Sequence, residues 1–484
     1  MVGDAPDSHI WIGHTKLSQG SGGEHRHVHP FTGAEQATIP LAGGKEVNAA
    51  VAKAVAVADE WRYWAPARRR QALLKLADLM EENTQEISRR SALDVGIATS
   101  MGPLLTMFAV EWTRYYAGWT DKLNGDLLST HGPTDELAYT APEPYGVVGV
   151  ITTWNGPVVS LGMKVAPALA AGNCVIVKPA EFTPFVPELY AELAKEAGLP
   201  DGVLSLLPGS VAAGEALVSH EQVEKISFTG GPVAASSILA TCAKQMKPAV
   251  LELGGKSACL VFPDVDDLEM VCQSITRTVM GTMAGQGCAL PTRVLVHHDI
   301  YEHATARIAD IAANLKAGDP LAEDTEVGPV LNVSAVERIL GMFERARADG
   351  AATFAAGGYR LGGELADKNF IAPTVITDAD PAHEISQMEI FGPALTVQRF
   401  DDDEDAVAKA NSTRYGLAAY IYSSNVGRCH RLAEKLRSGG VYVNGATSIR
   451  PHTPFGGVGI SGYGKEGGRA GIDEYLRYKT ISLA

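Results

Sequence analysis

The chain has 484 residues, more than one hydrophobic core usually serves, so two or three domains are expected. Apolar residues make up 46% and charged residues 20%, a globular balance that argues against disorder. The net charge of −15 argues against nucleic acid and anionic membrane as partners, because both need a basic face.

The opening MVGDAPDSHIWIG has neither the basic start nor the continuous apolar run of a secretory signal. No stretch of about 18 apolar residues reads as a membrane span. The cysteines, Cys174, Cys242, Cys259, Cys272, Cys288 and Cys429, are scattered without CxxC pairs. Free thiols in a reducing cytoplasm are therefore expected over a disulfide framework. A polar first stretch carries HRHVHP, which on a strand would put His25, His27 and His29 on one face. That spacing suits a metal, but a solvated strand or loop is the preferred reading and no metal is expected. KEVNAAVAKAVAVADE then reads as an alanine-rich helix, and ARRRQALLKLADLMEENTQEISRRSALDVG as an amphipathic helix or helical pair ending near Gly96.

From Val147 to Leu253 the pattern changes. VVGVITT, CVIVKPA, GVLSLLPG, KISFTG and AVLELGG are short apolar runs separated by helical segments. This alternation predicts βαβ units and a parallel sheet buried on both faces. A second alternation, from about Gly255 to Val443, includes RVLVHHDIY, two helical segments and GGVYVNG. ELAYTAPEPYGVV resembles one arm of a hairpin, and the final RYKTISLA an edge strand, both outside the two main units.

Chemistry concentrates at the ends of these strands. GQGC holds Cys288 between small residues, which lets a substrate approach and lets backbone N–H groups turn toward a reacting oxygen. Taken alone it is equally a buried structural cysteine. LELGGK puts Glu252 at a strand's C-terminal end, where catalytic groups of α/β folds collect, although a capping glutamate would fit as well. TTWNGP offers Asn155, whose amide can donate to an oxyanion or close a turn. KPAE offers Lys178 and Glu181 for ribose hydroxyls, and FTGG leads into a helix whose N-terminal amides suit a pyrophosphate.

Together these pieces resemble the aldehyde dehydrogenase superfamily over almost the whole chain. WN, KPAE, LPG, FTG, LELGGK, GQGC, EIFGP, YGLAA and PFGG followed by SGYGKEGG occur in that family's order. The resemblance implies an α/β fold with a Rossmann-like dinucleotide-binding domain (1–124 and 146–253) and an α/β catalytic domain (254–446). A small β oligomerisation element (125–145 and 470–484) would make a homodimer or homotetramer. It further implies NAD-dependent oxidation of an aldehyde to the carboxylic acid, with Cys288 as nucleophile and Glu252 as general base. Asn155 and the Cys288 N–H would form the oxyanion hole, and Lys164 and Glu466 a proton relay. For NAD, Lys178, Ala180 and Glu181 would serve the adenosine ribose, and Thr229, Gly230 and Gly231 the pyrophosphate. Glu389 and Phe391 would serve the nicotinamide ribose and ring. Ile151, Thr152, Trp154, Gly209, Gly214, Phe228 and Leu253 complete the expected cofactor surface.

In the substrate channel the resemblance puts Gly156, Ser160 and Met163 on one side. Gly287, Ala289 and the segment from Gly445 to Ser448 would face them, with Phe455 beside. Gly156 stands where an aromatic is common, Gly231 where a serine is common, and the residues around VYVNGATS are small where aromatics are common. The small residues predict a wide channel for a bulky, apolar aldehyde, aromatic or terpenoid-like. No arginine stands among these positions to pair a second carboxylate, Arg450 being the nearest in sequence. Two other readings are a CoA-acylating relative, which typically lacks the glutamate, and a non-catalytic structural or binding protein on the same fold.

Overall fold

The computed structural model describes residues 5–129, 136–446 and 449–484. Two large sheets organise it. In the first, five parallel strands run in the order Ala249–Glu252, Lys225–Thr229, Val147–Ile151, Cys174–Lys178, Leu204–Leu206. Numbered along the chain this is the 3-2-1-4-5 order of a doubly wound sheet, with the direction of winding reversing between Val147–Ile151 and Lys225–Thr229. Val147–Ile151 is buried at every position, as helices on both faces require. Each such valine or isoleucine contributes about 1.5–3 kcal/mol by leaving water.

The sheet is not wholly parallel, which corrects the sequence expectation. Gly462–Tyr463 joins one edge and Ile10–Ile12 the other, both antiparallel. These strands are too short and too distant in sequence to show a period. The second sheet sets six parallel strands in the order Thr374–Thr377, Ala394–Phe400, Arg293–His297, Ala258–Val261, Ala418–Tyr422, Gly440–Val443. Thr353–Ala356 closes one edge antiparallel. Leu476–Leu483 pairs residue for residue with Leu137–Pro144, which also pairs with Leu127–Leu128, making a separate three-stranded sheet. Residues 130–135 of the expected hairpin lie outside the described residues.

The amphipathic stretch is a helical pair, Pro66–Glu82 and Thr84–Val95. Gly96 ends it in a left-handed conformation at φ 75°, where a side chain would be strained. The histidine strand departs from the solvated reading. His27 and His29 are buried; His27 Nε2 lies 2.9 Å from the Phe182 carbonyl, and His29 Nδ1 accepts from the Phe31 and Thr32 N–H groups. Hydrogen bonds to the Phe182 carbonyl and to Gln36 let the His27 imidazole leave water neutral, and burial pushes its pKa down to about 4, whereas His29 is held through Nδ1. No helix among the described residues is long and apolar enough to cross a membrane.

Candidate active site

The strands of the first sheet deliver Thr152, Lys178, Thr229 and Glu252 at their C-terminal ends, the edge where α/β sheets bind ligands. Cys288 comes from the other unit, on the loop after helix Leu268–Gly281. A cavity of about 450 Å³ joins them and is lined by Cys288, Glu252, Asn155, Lys164 and Thr229. Every channel position expected from sequence among the described residues, Gly156, Ser160, Met163, Gly287, Ala289, Gly445 and Phe455, lines the same cavity. Thr447 and Ser448 lie outside the described residues.

Cys288 is the one partly exposed cysteine; the other five are buried. Its surroundings push the thiol pKa up to about 12, first through burial and then through the Glu389 and Glu252 carboxylates. The Glu252 side chain is buried, and neither carboxylate oxygen has a hydrogen-bond partner. Burial first, and then the charge of Glu466, raises its pKa well above the carboxylate range, while Lys164 and Lys465 oppose the shift. Lys164 sits on a π-helical turn, Leu161–Val165, whose extra residue redirects its side chain inward. Its Nζ bonds Glu466 and, at 3.1 Å, the Ser227 hydroxyl, which also bonds the Tyr475 hydroxyl at 3.1 Å. A buried polar chain thus runs beneath Glu252.

Asn155 Nδ2 donates to the Gln286 carbonyl at 2.6 Å, on the loop that carries Cys288. The Gln286 side chain anchors the loop: Nε2 donates to the Met283 carbonyl at 2.9 Å, and Oε1 accepts from the Leu331 N–H at 2.9 Å. Gly285 adopts φ 75°, and a Cβ there would lie 1.9 Å from the Gly392 carbonyl, so this turn demands glycine.

Around the sheet edge lies a second set of groups. Lys178 Nζ is 3.5 Å from Glu181. Gly231 caps helix Pro232–Lys244, and open space surrounds it, as it does Gly214. Gly230 packs on the Phe228 ring, which is buried like Ile151, Ala180 and Leu253. Gly209 pairs with Ala42 beside helix Val211–Ser219. Glu389 accepts from the Gly255 N–H at 3.1 Å, and its burial raises its pKa to about 7. The Trp154 and Phe391 rings meet edge-on at 5.5 Å. Free helix N–H groups, a carboxylate able to accept from hydroxyls, and glycines leaving open space fit a dinucleotide.

The family model described as the aldehyde dehydrogenase family matches residues 17–481. The chain belongs to the aldehyde dehydrogenase family. It is 39% identical over 442 residues to an aldehyde dehydrogenase of Emericella nidulans, covering 90% of this chain and 87% of that one. It is 34% identical over 480 residues to a betaine aldehyde dehydrogenase of Brucella anthropi, covering 98% and 97%. Its structure is similar to that of the Bacillus cereus aldehyde dehydrogenase in complex with NAD+, with a TM-score of 0.95, 35% identity and coverage of 99% and 96%. Beyond the family's motifs the cavity takes walls that sequence reading missed. Leu104, Leu105 and Phe108 come from helix Gly102–Ala117, Met283 from the cysteine loop, and Tyr420 and Tyr422 from the second sheet. Apolar residues at helical or strand spacing are indistinguishable from core until the partner surface is known.

Proposed function

We propose that the protein oxidises a bulky, largely apolar aldehyde to its carboxylic acid through a Cys288 thiohemiacetal and thioester, with NAD as the cofactor. The observation that carries this is the buried, unpartnered Glu252 carboxylate lining one cavity with Cys288 and Asn155. A buried acceptor without a partner is costly unless it has a proton to handle. In this reading Glu252 takes the Cys288 proton, which burial otherwise holds on sulfur. The thiolate attacks the carbonyl, and the developing oxyanion accepts from the Cys288 N–H and from the Asn155 amide proton not given to Gln286. NAD, when bound, supplies the hydride acceptor. Lys164 and Glu466 relay the thiol proton away from Glu252, which then draws a second proton from water; hydroxide adds to the thioester carbonyl and the Cys288 thiolate leaves.

For the cofactor, Lys178 and Glu181 would hold the adenosine ribose and the Pro232–Lys244 N-terminus the pyrophosphate, with Glu389 and Phe391 at the nicotinamide. A carboxylate at Glu181 accepts from two hydroxyls and repels a 2′-phosphate, which supports NAD over NADP. A largely apolar cavity with no arginine among the described residues that line it supports a bulky, uncharged substrate. The three-stranded sheet, with Leu127, Leu137 and Leu483 exposed, supports assembly as a homodimer or homotetramer, and six free cysteines a cytoplasmic setting.

The test is NADH formation from acetaldehyde, hexanal, benzaldehyde, citral and succinic semialdehyde, with and without CoA. kcat/KM should rise with apolar size, by at most about 0.8 kcal/mol of transition-state stabilisation per buried methylene. Acetaldehyde or succinic semialdehyde as the best substrate overturns the substrate class. Turnover that requires CoA overturns thioester hydrolysis.

A further inference from the structure

We infer that Met283 sets the bore of the substrate channel. It takes up part of the space that Gly156 and Gly287 leave, so that a movable thioether and not a fixed ring decides which aldehydes reach Cys288. This rests on the reading of the cavity as the aldehyde channel. A Cβ at Gly156 would lie 3.5 Å from Val159 Cβ and 4.0 Å from Met283 Sδ. One at Gly287 would lie 2.9 Å from Leu290 Cγ and 3.3 Å from Met283 Cε, so Met283 is the neighbour the two positions share. One side chain therefore lies against two positions that lack side chains, in the wall next to the nucleophile.

The backbone explains why the side chain is there. Met283 and Ala284 both adopt left-handed conformations (φ 50°, ψ 32° and φ 49°, ψ 44°), followed by left-handed Gly285. For residues bearing a Cβ this costs on the order of 1–2 kcal/mol each and needs outside support. Gln286 supplies it, through its backbone and side-chain N–H groups, which both donate to the Met283 carbonyl, at 3.0 and 2.9 Å. The carbonyl is pinned while the side chain, half-buried and facing the cavity, is not. Methionine has three rotatable side-chain bonds and a polarizable sulfur, so it can yield to a large substrate and close on a small one.

The test measures kcat/KM for benzaldehyde and for acetaldehyde in Met283→Ala, Met283→Leu and Met283→Phe, with the pre-steady-state NADH burst as the check on the cysteine loop. Met283→Ala should raise the benzaldehyde-to-acetaldehyde ratio about tenfold, and Met283→Phe should lower it by a similar factor. Gly156→Phe should be impaired in the parent and recover in the Gly156→Phe/Met283→Ala double variant, because the ring then enters the vacated room. If Met283→Ala does not fold, Met283→Leu and Met283→Phe decide through the same ratio, since the two side chains differ in width. A ratio unchanged within about twofold across variants that keep the burst overturns the inference. So does a double variant no better than Gly156→Phe. If wild type prefers acetaldehyde but the variants shift the ratio as stated, the bulky-substrate reading fails and the role of Met283 stands.

Discussion

Asn155 and Gln286 are joined by a 2.6 Å hydrogen bond from side-chain amide to backbone carbonyl, which ties the strand end of the first sheet to the loop bearing Cys288. The bond orients the amide that the mechanism assigns to the oxyanion. Asn155→Ala should therefore cost about 10²–10³ in kcat, the usual loss for one oxyanion donor. A loss below about tenfold, with KM unchanged, would remove Asn155 from that role.

The thiol makes two expectations. Cys288→Ala should abolish NADH formation, whereas alanine at any of the five buried cysteines should leave the reaction running. In the cofactor-free enzyme, burial and two carboxylates oppose the thiolate, so Cys288 alkylation by iodoacetamide should still climb above about pH 10, where a free thiol has levelled off. A plateau near pH 8 would show a thiolate stabilised in the resting site.

Glu252→Gln separates the two proton transfers. If deacylation alone needs the base, a burst of NADH should precede slow turnover. If Glu252 also deprotonates Cys288, as its raised pKa and the thiol's imply, the burst itself should slow and recover as pH rises. Wild-type steady-state rates in this variant would remove Glu252 from both steps.

Glu181→Gln should narrow the preference for NAD over NADP by about tenfold or more, because Lys178, 3.5 Å away, would then face a 2′-phosphate without a competing carboxylate. Comparable kcat/KM for both cofactors in wild type would show that Glu181 does not set the choice.

Asp94 gives a pH dependence of stability. It is fully buried and accepts from the N–H groups of Phe185 and Val186 at the start of helix Phe185–Glu196. Burial raises its pKa from 3.8 to about 8. The folded state therefore binds a proton more tightly than the unfolded chain, so this contribution is complete below about pH 4 and fades as pH rises to about 8. Asp94→Asn should keep a hydrogen-bond acceptor for the cap and flatten that slope in urea melts, whereas Asp94→Ala should cost about 1–2 kcal/mol at all pH values. An unchanged slope in Asp94→Asn would show that another group carries the titration.

The parallel core of the first sheet was legible in the sequence, because a strand buried on both faces must be apolar throughout and a crossover helix must separate it from the next. The motifs that meet at the cavity were legible for a related reason. Cys288, Glu252 and Asn155 sit at strand ends and turns, where glycine, proline and polar residues interrupt the apolar pattern locally. Tertiary structure decided what depends on distant segments meeting. The antiparallel edges contributed by Ile10–Ile12 and Gly462–Tyr463 carry no period of their own. His27 and His29 read as polar, yet they are buried because the Phe182 carbonyl and the Phe31 and Thr32 amides come to meet them. Gly156 raised the expectation of an open channel, but only packing brought Met283 to within 4.0 Å of a Cβ there, since a left-handed turn held by Gln286 leaves no mark in composition or spacing. Local sequence specifies which backbone groups and faces are available; long-range packing decides which of them meet.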